Sequence, residues 1–200
     1  MNVFEAIESR RAVKAFDPDH EMSESDLRKL IQAGRLAPTA FNIQHTRFLV
    51  VKDQELRKKI RALSWNQAQV TDASVLLVVC ADVKAWEKNP ARYWRKAPQA
   101  VQDFMLPAIA QYYGTREMAQ RDEAMRSCGL AAQNIMLAAR SLGYDSCPMD
   151  GFDFDAVGEL INLPEDHVIS MFVVVGKKVK EPNPRSGSLL EEEQVLVDRF

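Results

Sequence analysis

Glycine is scarce, with eight in 200 residues, and none falls in a pattern that would cradle a nucleotide or expose a nucleophile. There is no Gly-x-Gly-x-x-Gly, no Gly-x-x-x-x-Gly-Lys-Ser/Thr, no Gly-x-Ser-x-Gly and no His-Glu-x-x-His. The three cysteines, Cys80, Cys128 and Cys147, are odd in number and widely spaced, which excludes a disulfide framework and a Cys-x-x-Cys metal cage and suits a reducing cytosol. The three histidines, His20, His45 and His167, stand far apart beside turns, so no metal site is expected. The longest apolar stretches, 74–81 and 168–176, are too short to span a bilayer, and Glu5 and Glu8 near the start are wrong for a signal or transit peptide. With no metal set and no nucleophile constellation, any chemistry falls to an organic cofactor.

The length is that of one domain, 1–200, with 46% hydrophobic residues to build its core. The net charge of −2 conceals an asymmetry: residues 1–100 hold 17 Lys/Arg against 12 Asp/Glu, and residues 101–200 hold 9 against 16. The basic residues are spread over several elements and no nucleic-acid motif accompanies them, so a localised anion site is the better reading.

Along the chain, Asn2–Ser9 reads as a short capped helix, and Ser23 with Asp26 opens a second that ends before Pro38. Residues 47–52 read as a strand and 54–63 as a helix with its Lys/Arg in water. The continuous apolar runs 74–81 and 168–176 read as strands covered on both faces. Residues 123–142 give the strongest helix, with Leu130, Ala131, Asn134, Leu137, Ala138 and Leu142 on one face and Gly143 as its cap. Residues 83–120 are the least legible. Short strands separated by longer helices point to an α+β or α/β three-layer sandwich. The apolar residues after Gly187 need a surface, for which a second subunit is the natural candidate.

Five segments could carry chemistry. Arg10, Arg11 and Lys14 crowd three cations into five residues: a solvated helix end, or an anion clamp in which Arg supplies bidentate donors. Residues 36–44 form a helix-to-strand loop with two amides that could read the polar edge of a heterocycle, and Asn66, Gln67 and Gln69 repeat that chemistry. Residues 147–152 read as a tight turn that can aim a backbone N–H at a ligand. Lys177, Lys178 and Arg185 form either a solvated strand exit or the second half of the clamp.

In order, the segments 9–16, 37–44, Asn66/Gln69 before 72–74, Gly129–Asn134 leading to Leu142-Gly143, 148–152 and Gly176 with Pro184-Arg185 resemble the FMN-dependent nitroreductase family, over residues 2 to about 190. The resemblance implies an α+β fold, a three-layer α/β/α sandwich around a mixed sheet, in a cytoplasmic homodimer that binds FMN, takes NADH or NADPH as reductant and passes hydride by a ping-pong mechanism to a nitroaromatic or quinone-type acceptor. It implies no nucleic-acid or membrane partner. Alternatives within it are a reductase of enone or halogenated substrates, and a non-catalytic flavin-binding dimer. Position by position, it implies that Arg10 and Arg185 pair with the FMN phosphate, that Arg11 and Ala12 line it through backbone, and that Lys14 reaches the N1/O2 end of the ring. Asn66 with Gln69 would meet the pyrimidine edge. The backbone of Pro148, Met149, Asp150 and Gly151 would approach N5. Pro38, Thr39, Ala40, Asn42 and Gln44 would come from the other subunit, with Phe41 as a lid on the substrate face. The tail, about 187–200, would exchange onto the partner. Asn183 stands where some relatives carry a phosphate-binding lysine, a role that Lys177 or Lys178 could take.

Overall fold

A computed structural model describes the whole chain, Met1–Phe200. In chain order the elements are α1 (Val3–Ser9), α2 (Glu24–Arg35), β1 (Thr46–Val51), α3 (Gln54–Ala62), the single turn α4 (Gln69–Asp72), β2 (Val75–Asp82), the single turn α5 (Ala91–Trp94), α6 (Gln99–Tyr113), α7 (Glu117–Ser141), β3 (Asp145–Met149), α8 (Phe154–Leu160), β4 (His167–Gly176) and α9 (Glu191–Gln194). The helix starts follow from side-chain caps. Asn2 accepts from the backbone of Glu5, Ser23 from Asp26, Asp53 from Leu56 and Asp153 from Ala156, each satisfying an otherwise orphaned amide.

The sheet order is β1-β2-β4-β3, and all three pairings are antiparallel. The mixed sheet expected from sequence is therefore replaced by an antiparallel one; the only parallel pairing is a single bridge between Ala12 and Ser146. β2 is buried along its whole length. Its alternate residues feed two cores: Leu76, Val78 and Cys80 face α3 and α8, while Leu77, Val79 and Ala81 face α2 and α7. Two covered faces explain why this strand reads as an unbroken apolar run. A third cluster, Ile43, Trp86, Ile109 and Tyr113, sits beneath the loop that leads into β1. All three cysteines are buried and unpaired, and burial pushes the thiols of Cys80 and Cys128 up to about 12 and about 11, so neither ionises near neutrality.

Two sequence readings change. The buried face of α7 is Ala124, Cys128, Ala132, Ile135 and Ala139, and Leu130 points outward. Small residues face the sheet, and α2 crosses α7 so closely at Gly34 that an added Cβ would lie 2.8 Å from both Ile135 Cδ1 and Phe48 Cζ. We expect Gly34→Val to lower the unfolding free energy by about 1–3 kcal/mol, the range for overpacking a filled core, read from denaturant midpoints. An unchanged midpoint would contradict this packing. The basic face of α3 is also not wholly in water, because Arg57 is buried.

Candidate functional site

The N-terminal cations and Arg185 lie about as far apart in sequence as this chain allows, and backbone pairing brings them together. Val13 N donates to Ser146 O, laying residues 10–14 along the free edge of β3. Past the end of β4, Asp17 N donates to Lys177 O and Val179 N to Ala15 O. The chain leaving β4 must then run beside Arg10–Lys14. Together they line a cleft of about 580 Å³ holding Arg10, Arg11, Lys14, Lys180 and Arg185.

None of these five cations has a carboxylate partner. Arg185 donates to the carbonyls of Glu8 and Arg10 (both 3.3 Å), and Arg11 donates to the Asn183 carbonyl. Glu181, the one acid in the cleft, is held by Lys178 at 2.8 Å. Like charges gathered without counter-charge repel one another, and a bound anion reverses the sign of that energy. Ala12 is exposed at the same place, leaving its backbone open.

β3 leads from this cleft to a polar corner. Residues 147–152, read from sequence as a tight turn, instead carry the strand through Pro148 and Met149, and only Asp150-Gly151 turn. Pro148 is tolerated because β3 is an edge strand. Gly151 is packed under Trp65: a Cβ there would lie 2.8 Å from Trp65 Cζ3. Gln67 Nε2 donates to the Gly151 carbonyl (3.1 Å), and buried Gln69 donates to Gln67 Oε1 (2.9 Å), so Gln69 supports its neighbour and is not free. Asn66 Oδ1 accepts from Arg61 Nε and the residue remains exposed. From Ser146 to Met149 the strand advances about 10 Å, carrying the chain from the cationic cleft to this corner.

The loop 37–44 is not in this cleft. Thr39 and Gln44 line a second one of about 640 Å³. The loop is tied down by Asn42 Nδ2 to Tyr93 O (2.9 Å), Trp94 Nε1 to Phe41 O (3.1 Å) and Gln44 N to Thr39 Oγ1 (3.0 Å). Phe41 packs on Tyr112 and Tyr113. Pro38 and Asn42 are exposed and Ala40 half-buried, so the segment presents itself outward. Five of the chain's eight non-glycine residues with left-handed backbone lie in these two loops: Phe41, Asn42, Gln44, Trp65 and Asn66. For bulky side chains this conformation costs of order 1 kcal/mol or more each, and such strain concentrates at ligand sites.

Sequence reasoning missed Lys180 and Trp65, and it misplaced the supporting lysines. Lys177 Nζ donates to Gly143 O (2.6 Å) over the Tyr144 ring, and Lys178 is paired with Glu181; neither lines the cationic cleft. Asp82, Asp166 and His167 converge closely enough to ligate a metal. However, Lys88 already bridges both carboxylates and Arg47 reaches Asp82 at 3.2 Å, which makes this a satisfied ion cluster.

Fold and site together define a class: an α+β protein whose edge strand runs from an unneutralised cationic cleft to a polar corner. Comparison with known proteins narrows it. Residues 7–177 match the Nitroreductase family. Protein DrgA of Synechocystis is 54% identical over 181 residues, 90% of this chain and 86% of DrgA. MhqN of Bacillus subtilis, named as an NAD(P)H nitroreductase, is 32% identical over 186 residues, 90% of each chain. Among solved structures, YdfN of Bacillus subtilis superposes with a TM-score of 0.90 at 30% identity, over 96% of this chain and 97% of YdfN. A nitroreductase-type protein of Exiguobacterium sibiricum, solved in complex with FMN, gives 0.89 at 28% identity, over 98% and 96%. The chain belongs to the Nitroreductase family.

Proposed function

We propose that this chain is one subunit of a homodimeric, FMN-dependent NAD(P)H oxidoreductase of the cytoplasm that reduces nitroaromatic or quinone-type acceptors. One observation carries the reading: Arg10, Arg11, Lys14 and Arg185, none of them neutralised, meet beside the edge strand β3, which ends at Met149 just before Gly151. Bound FMN supplies the hydride chemistry.

The chain's own residues then have defined tasks. Arg10 and Arg185 would hold the phosphate, with Arg11 and Ala12 presenting backbone. Lys14 would place a cation at the N1/O2 end of the ring, favouring the negative charge of the reduced state. Asn66, with Gln69 bracing Gln67, would meet the pyrimidine edge. Pro148, Met149, Asp150 and Gly151 would form the wall beside N5. Pro38, Thr39, Ala40, Asn42 and Gln44 of the second subunit would close the site, and Phe41 would border the acceptor face. A planar slot of this kind distinguishes flat acceptors weakly, which suits a broad range and alternating occupancy by reductant and oxidant.

The surface supports pairing of two copies. Val3, Phe4 and Ile7 on α1, Met118 and Leu130 on α7, and Leu189, Leu190, Val197 and Phe200 in the tail are all exposed within one chain. Pairing of two copies would give these side chains a surface to cover. Three buried free thiols fit a reducing compartment.

The test is anaerobic reduction of the purified yellow protein by NADH and NADPH, followed by reoxidation with quinone, nitroaromatic and enone acceptors. A colourless protein that takes up no FMN would end the proposal. In addition, Lys14→Met is expected to lower the midpoint potential of bound flavin by several tens of millivolts, at about 1.4 kcal/mol per 30 mV for two electrons. An unchanged potential would remove Lys14 from the ring.

A further inference from the structure

The second cleft has an electrostatic character that FMN binding does not use. Thr39 and Gln44 share its lining with Arg35, Arg47, Arg92 and Arg95, and no acidic side chain lines it. Arg47 is spent on Asp82 and on three backbone carbonyls. The other three are free of counter-charge. Arg95 makes no side-chain hydrogen bond or ion pair within the chain, Arg35 reaches only Gln32 Oε1 at 3.4 Å, and Arg92 donates to the Tyr93 hydroxyl (2.5 Å) while lying 4.7 Å from the centroid of that ring. Three exposed guanidinium groups around about 640 Å³ are arranged for a ligand carrying more than one phosphate, since each can offer a planar pair of donors.

We infer that this cleft is the subsite for the phosphates of the nicotinamide dinucleotide, with Arg92 and Arg95 as principal contacts and Arg35 flanking them. The inference rests on the proposed reduction of bound flavin by NAD(P)H, because the loop 37–44 lines this cleft through Thr39 and Gln44 and is the segment proposed to close the flavin site of the second subunit. The pyrophosphate is common to NADH and NADPH; the extra phosphate of NADPH adds charge to the same basin. Holding the phosphates here leaves the nicotinamide ring free to be positioned by stacking, so the arginines act on affinity and not on the hydride step.

The test uses the FMN-loaded protein and titrates it calorimetrically with tetrahydro-NAD and tetrahydro-NADP, which cannot donate hydride. For Arg92→Gln/Arg95→Gln we expect about a tenfold rise in dissociation constant and a flatter dependence on salt, with flavin content as in the parent. Rises of equal size for both analogues place the pyrophosphate in the cleft; a larger rise for tetrahydro-NADP adds the second phosphate, and either supports the subsite. Stopped-flow reduction by 1-benzyl-dihydronicotinamide, which has no phosphate, should not register the substitutions. Unchanged affinity for both analogues overturns the subsite while leaving the proposed function intact. So does unchanged affinity in a variant whose dimer has weakened, because the arginines would then be receiving the acidic Glu191–Glu193 segment of a second copy. Failure of the unmodified protein to bind either analogue or be reduced by either nucleotide would instead defeat the proposed function itself.

Discussion

Replacing Arg10 and Arg185 together with alanine is expected to raise the FMN dissociation constant at least a hundredfold while changing riboflavin binding little. Each guanidinium–phosphate contact is a charge-assisted pair worth about 1.5–3 kcal/mol, and about 1.4 kcal/mol is tenfold in affinity. Arg185 also braces the neighbouring backbone, donating to the Arg10 carbonyl. Losing both therefore opens the cleft as well as discharging it. Riboflavin has the ring but no phosphate, so it separates the two effects. A variant that binds FMN as the parent does would show that the cations serve something else, and an equal loss for both ligands would show that the cleft had merely collapsed. Fluorescence titration of the apoprotein with each flavin reads the difference directly.

The second large effect is on stability. Arg57→Leu is expected to cost about 3–5 kcal/mol, measured by urea unfolding. Arg57 is 3% exposed, and its guanidinium has no carboxylate beside it. It donates to Val51 O (2.9 Å), Ala73 O (2.6 Å) and Ser74 O (3.2 Å), stitching the end of β1 to the start of β2, and burial holds its pKa below the usual arginine value. An apolar replacement removes the buried charge but leaves carbonyls unsatisfied at about 1–3 kcal/mol each. Against a typical total of about 5–15 kcal/mol, the loss is a large fraction. A loss below about 1 kcal/mol would mean that water replaces the guanidinium without penalty. The same substitution should leave the cationic cleft unaltered, because Arg57 lies on the opposite edge of the sheet beside β1.

These residues also show what was legible in the chain and what was not. Asn2, Ser23 and the runs in β2 and β4 declare themselves because capping and two-sided burial are local properties. β3 is hidden because it is short and contains Pro148, which only an edge position permits. α6 is hidden for two reasons. Pro107 lies inside it, and only Ile109 and Tyr113 are buried while Phe104 is 72% exposed, so no apolar stripe marks its period. Arg57 looked like one more solvated cation in a basic helix, because nothing in the local pattern announces three carbonyls waiting from elsewhere. The cationic cleft was visible as charge at Arg10–Lys14 and at Arg185. Lys180 was passed over in favour of Lys177 and Lys178, because the backbone pairing of residues 15–17 with 177–179 decides which lysines face inward. The arginine cleft could not be read at all, since Arg35, Arg92 and Arg95 span some sixty residues and only the folded loops bring them together.

The account turns on a site shared between two chains, and hybrid dimers test that most directly. One chain carries Arg10→Ala/Arg185→Ala and the other Thr39→Ala/Gln44→Ala, with distinct tags so that the mixed dimer can be isolated. Each parent dimer should be poor in flavin. If each site takes its cations from one subunit and its loop from the other, the hybrid has one intact site and one doubly damaged, and it should hold about one FMN per two chains. If each site lies within a single chain, both sites of the hybrid are damaged, and a hybrid as empty as its parents contradicts the shared site.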